Sequence, residues 1–176
     1  MKQCFKHHAA NSLTGLGLLF AIITAILLLF DGPLWFAISI VFICAIIDGL
    51  DGWLARQLNA VSTLGRYLDV GHDMIAFGIV PAFIVLRIFD GLQPLLLSMV
   101  SIYVFAMAFR LIRSLRYNSP ETLYGLPAPL AGMAVALGCG VIMREVDALC
   151  LIWLLILIVV MVVPFKINRP WLTPTR

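Results

Sequence analysis

Charged residues are scarce in this chain. Lysine, arginine, aspartate and glutamate make up 12% of its 176 residues, whereas a soluble domain usually contains about 25%. Apolar residues make up 62%. A soluble fold of this size would expose much of that apolar surface to water, and a lipid bilayer removes this problem. The composition excludes a soluble domain, a disordered chain and a nucleic-acid binder built on a basic patch. We therefore predict an integral membrane protein without a nucleic-acid partner.

Cysteine is also scarce, and its spacing carries no chemical signal. The chain has four cysteines, and no two of them form a CxxC pair. Three lie within apolar runs, where a thiol behaves as a small apolar side chain. The cysteine pattern therefore favours buried thiols over a disulfide or a zinc site.

Long apolar runs make up most of the sequence. A membrane-spanning helix needs about 20 mostly apolar residues, and only helices or closed barrels satisfy their backbone in lipid. A barrel would need shorter segments of alternating polarity. The pattern predicts a single all-α membrane domain over residues 1–176, whose apolar runs are helices and not strands. Its six transmembrane helices are expected at about 11–30, 34–55, 66–89, 92–110, 127–143 and 148–165.

The basic residues predict the orientation of these helices. With six spans, both termini lie on the same side of the membrane. That side collects all of the 12 lysines and arginines except Arg87 and Arg144. Because cytoplasmic loops carry an excess of lysine and arginine, we expect both termini to be cytoplasmic. A five-span arrangement would place the basic C-terminal tail outside.

Four aspartates at the ends of the second and third segments form the main chemical signal. Asp48 and Asp51 are three residues apart, and Asp69 and Asp73 are four apart, so each pair lies on one helix face. If the two helices pack antiparallel through these faces, the four carboxylates converge. Such a cluster needs neutralisation, and hard divalent cations such as Mg²⁺ prefer oxygen ligands. Bound metals would also polarise a phosphate-containing substrate.

Other interpretations of these aspartates are weaker. The carboxylates could cap helix ends or pair with Arg56 and Arg66. They could also form the binding site of a divalent-ion carrier, but carriers usually place such groups near the membrane midplane in broken helices. A role as a non-catalytic scaffold would not explain the spacing of the four aspartates. Gly52 and Ala55 share a face with the first aspartate pair, which leaves room for a flat, bulky ligand.

The segment from 48 to 73 resembles the signature of the CDP-alcohol phosphotransferases, D-x2-D-G-x2-A-R-x8-G-x3-D-x3-D. Every fixed position of that signature is filled in this chain. Members of this family move a phosphatidyl-type group from a CDP-linked lipid to an alcohol and release CMP. The resemblance implies a phosphatidyltransferase that acts on CDP-diacylglycerol and a small alcohol within the lipid membrane.

The resemblance also implies roles for individual residues. Asp48, Asp51 and Asp69 would hold two divalent ions, Mg²⁺ or Mn²⁺, on the diphosphate of the substrate. Asp73 would contribute to the metal site and act as the general base on the acceptor hydroxyl.

Four further signature positions would bind the CDP-lipid. By resemblance, Gly52, Ala55 and Arg56 line the cytidine-diphosphate site, and Gly65 permits a close turn into the third helix. The family further implies a homodimer. The distribution of lysine and arginine places the aspartate-rich region, and with it the active site, at the cytoplasmic face of what we expect to be the inner membrane of a prokaryote.

Four segments are similar to bacterial and archaeal phosphatidylserine synthases, and they indicate L-serine as the acceptor. These segments are 55–62, 77–82, 113–118 and 125–129. Arg113 and Arg116, in the third of them, either anchor to anionic lipid headgroups or bind the acceptor or a phosphate. The synthases usually read L-D-S-x-A-D, whereas this chain has His72 before Asp73 and no serine. Glycerol 3-phosphate and inositol phosphate therefore stay alternative acceptors, and a divalent-ion carrier stays the non-enzymatic alternative.

Overall fold

The protein folds as a bundle of helices. The computed structural model describes residues 2–57, 63–89, 94–117, 122–142, 147–163 and 166–168. Every predicted apolar segment is helical in this part of the chain. The helices are α1 (Lys2–Leu29), α2 (Leu34–Gln57), α3 (Thr63–Asp73), α4 (Val80–Ile88), α5 (Pro94–Tyr117), α6 (Ala128–Leu137) and α7 (Asp147–Val162).

Four helices are long and apolar enough to cross a membrane, judged over the described residues. They cover Ser12–Leu29, Leu34–Trp53, Gly65–Ile88 and Pro94–Arg116. Two further apolar helices, Ala128–Ile142 and Ala148–Val162, are shorter, with 15 residues each. At 1.5 Å per residue, a helix of that length extends about 22 Å, less than the roughly 30 Å of bilayer hydrocarbon. The four long apolar helices confirm the predicted all-α integral membrane class. Because the other two helices are short, six complete crossings stay a prediction.

The third apolar helix is interrupted by a widened turn. A π-helical segment, Met74–Ile79, connects α3 to α4 and begins directly after Asp73. Pro81 has no N–H to donate to the carbonyl of Phe77, four residues earlier. The buried Tyr103 hydroxyl, from α5, donates to that carbonyl at 2.5 Å. A side chain from a neighbouring helix thus donates to a carbonyl that Pro81 cannot serve.

Close packing holds this π-helical segment in place. A Cβ atom at Gly132 of α6 would lie only 2.7 Å from the Cα atom of Phe77. Glycine at this position lets the backbone of α6 approach the widened turn directly. The indole nitrogen of Trp153 donates to the Ala134 carbonyl at 2.9 Å, which ties α7 to α6. The residues after Asp73 therefore pack closely against α5 and α6.

A short β-ribbon lies outside the helices. Strand β1 (Thr122–Tyr124) pairs antiparallel with β2 (Lys166–Asn168), with Leu123 opposite Ile167. The apolar segments themselves are helical, as predicted, and this ribbon lies in the polar segments between and after them. Helices α5 and α7 pack against each other, and this packing brings the segments that follow them close together. Hydrophobic periodicity reports on single segments, so it gave no sign of this pairing.

Candidate active site

The four aspartates come together around Asp48. Carboxylate oxygens of Asp48, Asp51 and Asp69 lie within 4.8 Å of one another. A second group, in which the ligand atoms are equally close, joins Asp48 to Asp73 and His72. The cluster is largely enclosed, since Asp51 is only 5% exposed and Asp73 only 7%. The predicted convergence of the two aspartate pairs is therefore present in the folded chain.

Helix α1 forms a third wall of this site. We expected α2 and α3 to pack directly through their aspartate faces, but α1 contacts each of them more extensively than they contact each other. Carboxylates as close as these repel one another when all are ionised. The Thr14 hydroxyl on α1 donates to Asp51 Oδ2 at 2.6 Å. Thr14 was not among the predicted site residues, and its only sequence signal is a polar side chain at the start of an apolar run.

Arg110 of α5 also reaches the cluster. Its Nη1 atom lies 3.8 Å from Asp73 Oδ2, and both side chains are nearly buried. Asp73 Oδ1 and Arg110 Nε are buried and have no hydrogen-bond partner among the described residues. Buried polar atoms are rarely left unpaired in folded proteins. Unpaired atoms on both members of this ion pair indicate a position that a ligand completes.

The donor set fits a hard divalent metal ion. Three carboxylates with oxygens within 4.8 Å of one another offer the all-oxygen environment that suits Mg²⁺ and Mn²⁺. The unpaired Asp73 Oδ1 adds a further buried acceptor at the same place. The acidic cluster could therefore hold divalent metal.

The predicted CDP-lipid residues lie beside the cluster along the chain. Gly52 follows Asp51 on α2 and is partly buried, and Gly65 lies near the start of α3. The side chains of Ala55 and Arg56 lie outside the part that the structure describes. Their predicted contact with the cytidine diphosphate stays a prediction.

The two arginines proposed for the acceptor occupy different places from Arg110. Arg113 donates to the carbonyls of Met161 and Val162 at 2.9 and 2.6 Å, which holds the end of α7. Gly125 makes room for this contact, because a Cβ atom there would lie 2.6 Å from Arg113 Nη2, and its φ of +77° suits glycine. Arg116 is exposed at the end of α5. Among these three arginines, the ion pair with an aspartate of the cluster is made by Arg110, which the sequence analysis did not select.

The family model described as CDP-alcohol phosphatidyltransferase matches residues 7–165. A CDP-diacylglycerol–serine O-phosphatidyltransferase of Bacillus subtilis (strain 168) is 30% identical over 103 residues, covering 57% of this chain and 58% of the relative. A protein of the same name from Methanocaldococcus jannaschii is 31% identical over 106 residues, covering 59% of this chain and 50% of the relative.

An archaetidylserine synthase of Methanothermobacter thermautotrophicus is 27% identical over 115 residues, covering 64% of this chain and 49% of the relative. The chain thus spans about half the length of the curated relatives that it matches.

Proposed function

The chain belongs to the CDP-alcohol phosphatidyltransferase family, and from this premise we propose that it transfers a phosphatidyl group from CDP-diacylglycerol to the hydroxyl of L-serine. The products are phosphatidylserine and CMP. One observation carries the proposal: the aspartates at the family's signature spacing converge on Asp48 in a buried site. The whole chain, residues 1–176, acts as one membrane domain in this proposal.

The acidic cluster would hold the diphosphate of the donor. We assign two divalent ions, Mg²⁺ or Mn²⁺, to Asp48, Asp51, Asp69 and Asp73. When bound, such ions neutralise the carboxylates and stabilise negative charge on the diphosphate. Thr14 fixes the orientation of Asp51 through its hydrogen bond. Gly52, Ala55, Arg56 and Gly65 would line the cytidine-diphosphate position.

Asp73 is the proposed general base. In the reaction a serine oxygen forms a bond to phosphorus, the bond from phosphorus to the CMP oxygen breaks, and the serine hydroxyl proton passes to Asp73. The ion pair with Arg110 fixes Oδ2, while the buried Oδ1 has no hydrogen-bond partner among the described residues and is available for the proton. A base within hydrogen-bond reach of its proton typically contributes about 10²- to 10⁴-fold to the rate.

Serine as the acceptor has two kinds of support. The relatives from Bacillus subtilis and Methanocaldococcus jannaschii carry serine phosphatidyltransferase names. Four segments of this chain are similar to phosphatidylserine synthases. Arg113 and Arg116 remain part of the proposal as acceptor or phosphate ligands, which for Arg113 would require release of its bonds to α7.

We further propose that six helices cross the inner membrane of a prokaryote, with both termini and the active site on the cytoplasmic side. The distribution of lysine and arginine supports this orientation. Reporter fusions at each terminus that are active only in the cytoplasm test it, and activity at one terminus alone would contradict it. The homodimer is proposed from the family, and the mass of the detergent-solubilised protein, measured by light scattering, tests it.

The decisive experiment measures CMP release from CDP-diacylglycerol in detergent with Mg²⁺ or Mn²⁺. L-serine, glycerol 3-phosphate, inositol phosphate and inositol are supplied one at a time. We expect release that depends on serine and on metal, and that falls at least about 100-fold in Asp73→Asn.

A matched control separates this effect from general damage. Asp31→Asn makes the same chemical change at a carboxylate that is 90% exposed and pairs with Arg87 at 3.1 Å. Asp31 has a φ of 60°, a conformation that asparagine also tolerates. Release with another acceptor would replace serine in the proposal. Metal binding by folded protein without release for any acceptor would contradict the enzyme and favour the carrier.

A further inference from the structure

His72 is buried at the acidic cluster, and none of the described residues forms a hydrogen bond with its ring. Its side chain is 0% exposed. Neither ring nitrogen has a hydrogen-bond partner in the described part of the chain. The ring packs edge-on against Phe77, with centroids 5.7 Å apart. A histidine that served only as packing would normally satisfy its ring nitrogens when buried, so these two free nitrogens call for a ligand.

The ring is directed toward carboxylates. A nitrogen of His72 and carboxylate oxygens of Asp48 and Asp73 all lie within 4.8 Å of one another. Gly17 of α1 provides the space for the ring, since a Cβ atom there would lie 2.9 Å from His72 Nε2 and 3.2 Å from its Cδ2. The absence of a side chain at Gly17 thus allows the imidazole to lie at the cluster.

The two groups of ligand atoms around Asp48 differ in chemistry. Asp48, Asp51 and Asp69 offer oxygen only, which suits Mg²⁺. Asp48, His72 and Asp73 offer two carboxylates and one imidazole. Imidazole nitrogen favours first-row transition metals over Mg²⁺, and Mn²⁺ accepts both donor types.

We propose that His72 is a metal ligand, which with Asp48 and Asp73 binds a divalent transition-metal ion of the Mn²⁺ class. The chain then has two unlike metal positions that share Asp48: an all-oxygen position and a mixed nitrogen–oxygen position. This inference rests on the proposed function in assuming that the cluster holds metal. It adds that His72, a residue outside the family's signature, makes one of the two metal positions selective for transition-metal ions.

The test directly detects a nitrogen atom that is bound to the metal. The full-length protein in lipid nanodiscs is loaded with Mn²⁺, and electron spin-echo envelope modulation records coupling to ¹⁴N. We expect imidazole modulation in the wild type and its loss in His72→Gln. The chain has three histidines, so the double variant His7→Gln/His8→Gln should keep the signal.

A second pair of variants leaves His72 in place. Gly17→Ala should crowd the ring and weaken the nitrogen signal. Gly15→Ala, on the same helix with nothing within 4 Å of its new Cβ, should not. A competition titration gives an independent readout. The preference for Mn²⁺ over Mg²⁺ should fall roughly tenfold or more in His72→Gln, because even outer-shell changes typically cost about 10- to 100-fold in metal affinity.

The outcomes separate this inference from the proposed function. Bound Mn²⁺ without ¹⁴N modulation, or modulation that survives His72→Gln, overturns the role of His72 and leaves the carboxylate centre intact. If the folded wild type binds no Mn²⁺, the role of His72 is overturned, whereas metal-dependent CMP release by the same protein would still support the proposed function. Modulation that is lost in His72→Gln, weakened in Gly17→Ala and kept in the control variants supports the mixed site.

Discussion

At the scale of single residues, the site depends on side chains from helices other than those that carry the aspartates. Thr14 comes from α1 and Arg110 from α5, and each contacts one carboxylate. Hydrogen bonds and ion pairs of this kind orient a metal-binding or proton-accepting oxygen without touching the substrate. Their loss should therefore change activity in distinct ways.

Thr14→Val removes the hydroxyl that donates to Asp51 while keeping the shape of the side chain. We expect the metal concentration for half-maximal CMP release to rise roughly 10- to 100-fold, because Asp51 loses its orienting partner. Thr24→Val is the control on the same helix, since the buried Thr24 donates only to the backbone carbonyl of Phe20 in the bonds described. An equal rise in both variants would show that the Thr14 bond has no special role.

Arg110→Gln removes the cation beside Asp73. We expect kcat to fall about 100-fold with a smaller change in KM, since the carboxylate keeps its place in the chain but loses the group that orients it. Arg110→Lys should recover part of the rate by keeping the charge. Arg66→Gln, at an exposed arginine of α3, should match the wild type. A change confined to KM would instead assign Arg110 to substrate binding.

At the scale of elements, the widened turn after Asp73 joins the site to the core. The π-helical segment Met74–Ile79 starts at the residue that follows the proposed base. Tyr103 satisfies the Phe77 carbonyl that Pro81 leaves open, and Gly132 lets α6 pack against the same turn. Such turns are frequent at functional sites, and here the surrounding helices fix one.

Tyr103→Phe tests this arrangement. The change leaves the Phe77 carbonyl buried without its donor, which should lower the free energy of unfolding by about 1–3 kcal/mol. Thermal unfolding in detergent measures the loss. Tyr67→Phe, at a tyrosine that is 64% exposed, should have little effect. Equal stability of both variants would mean that water or another group replaces the Tyr103 hydroxyl.

At the scale of the whole molecule, the acidic cluster lies between helices from distant parts of the chain, so its occupancy should affect global stability. A metal ion that binds only the folded state stabilises it, by about 2.7 kcal/mol when its concentration is 100 times Kd. We expect Mn²⁺ to raise the Tm of the purified protein and EDTA to reverse the shift. Asp48→Asn should largely abolish it, whereas Asp31→Asn should not.

One outcome of this titration would contradict the prediction. If EDTA and Mn²⁺ leave the Tm of the wild type unchanged while CMP release still depends on metal, the metal arrives with the substrate. The cluster would then not bind metal in the absence of substrate.

Much of this protein could be predicted from local patterns. Because lipid requires the backbone to bond within each segment, an apolar run of sufficient length indicates a helix without reference to the rest of the fold. The spacing of Asp48, Asp51, Asp69 and Asp73 likewise indicated two acidic helix faces, because helical periodicity is a property of the segment alone. These features account for the helices and for the position of the candidate site.

Other features were decided only when the helices packed together. Periodicity says which residues share a face but not which helix that face meets. The bond from Thr14 to Asp51, the pairing of Arg110 with Asp73, and the burial of His72 against Gly17 each join separate helices. The β-ribbon also needed α5 and α7 to lie side by side. The sequence by itself determined which carboxylates could act together, and the tertiary structure decided which other side chains surround them.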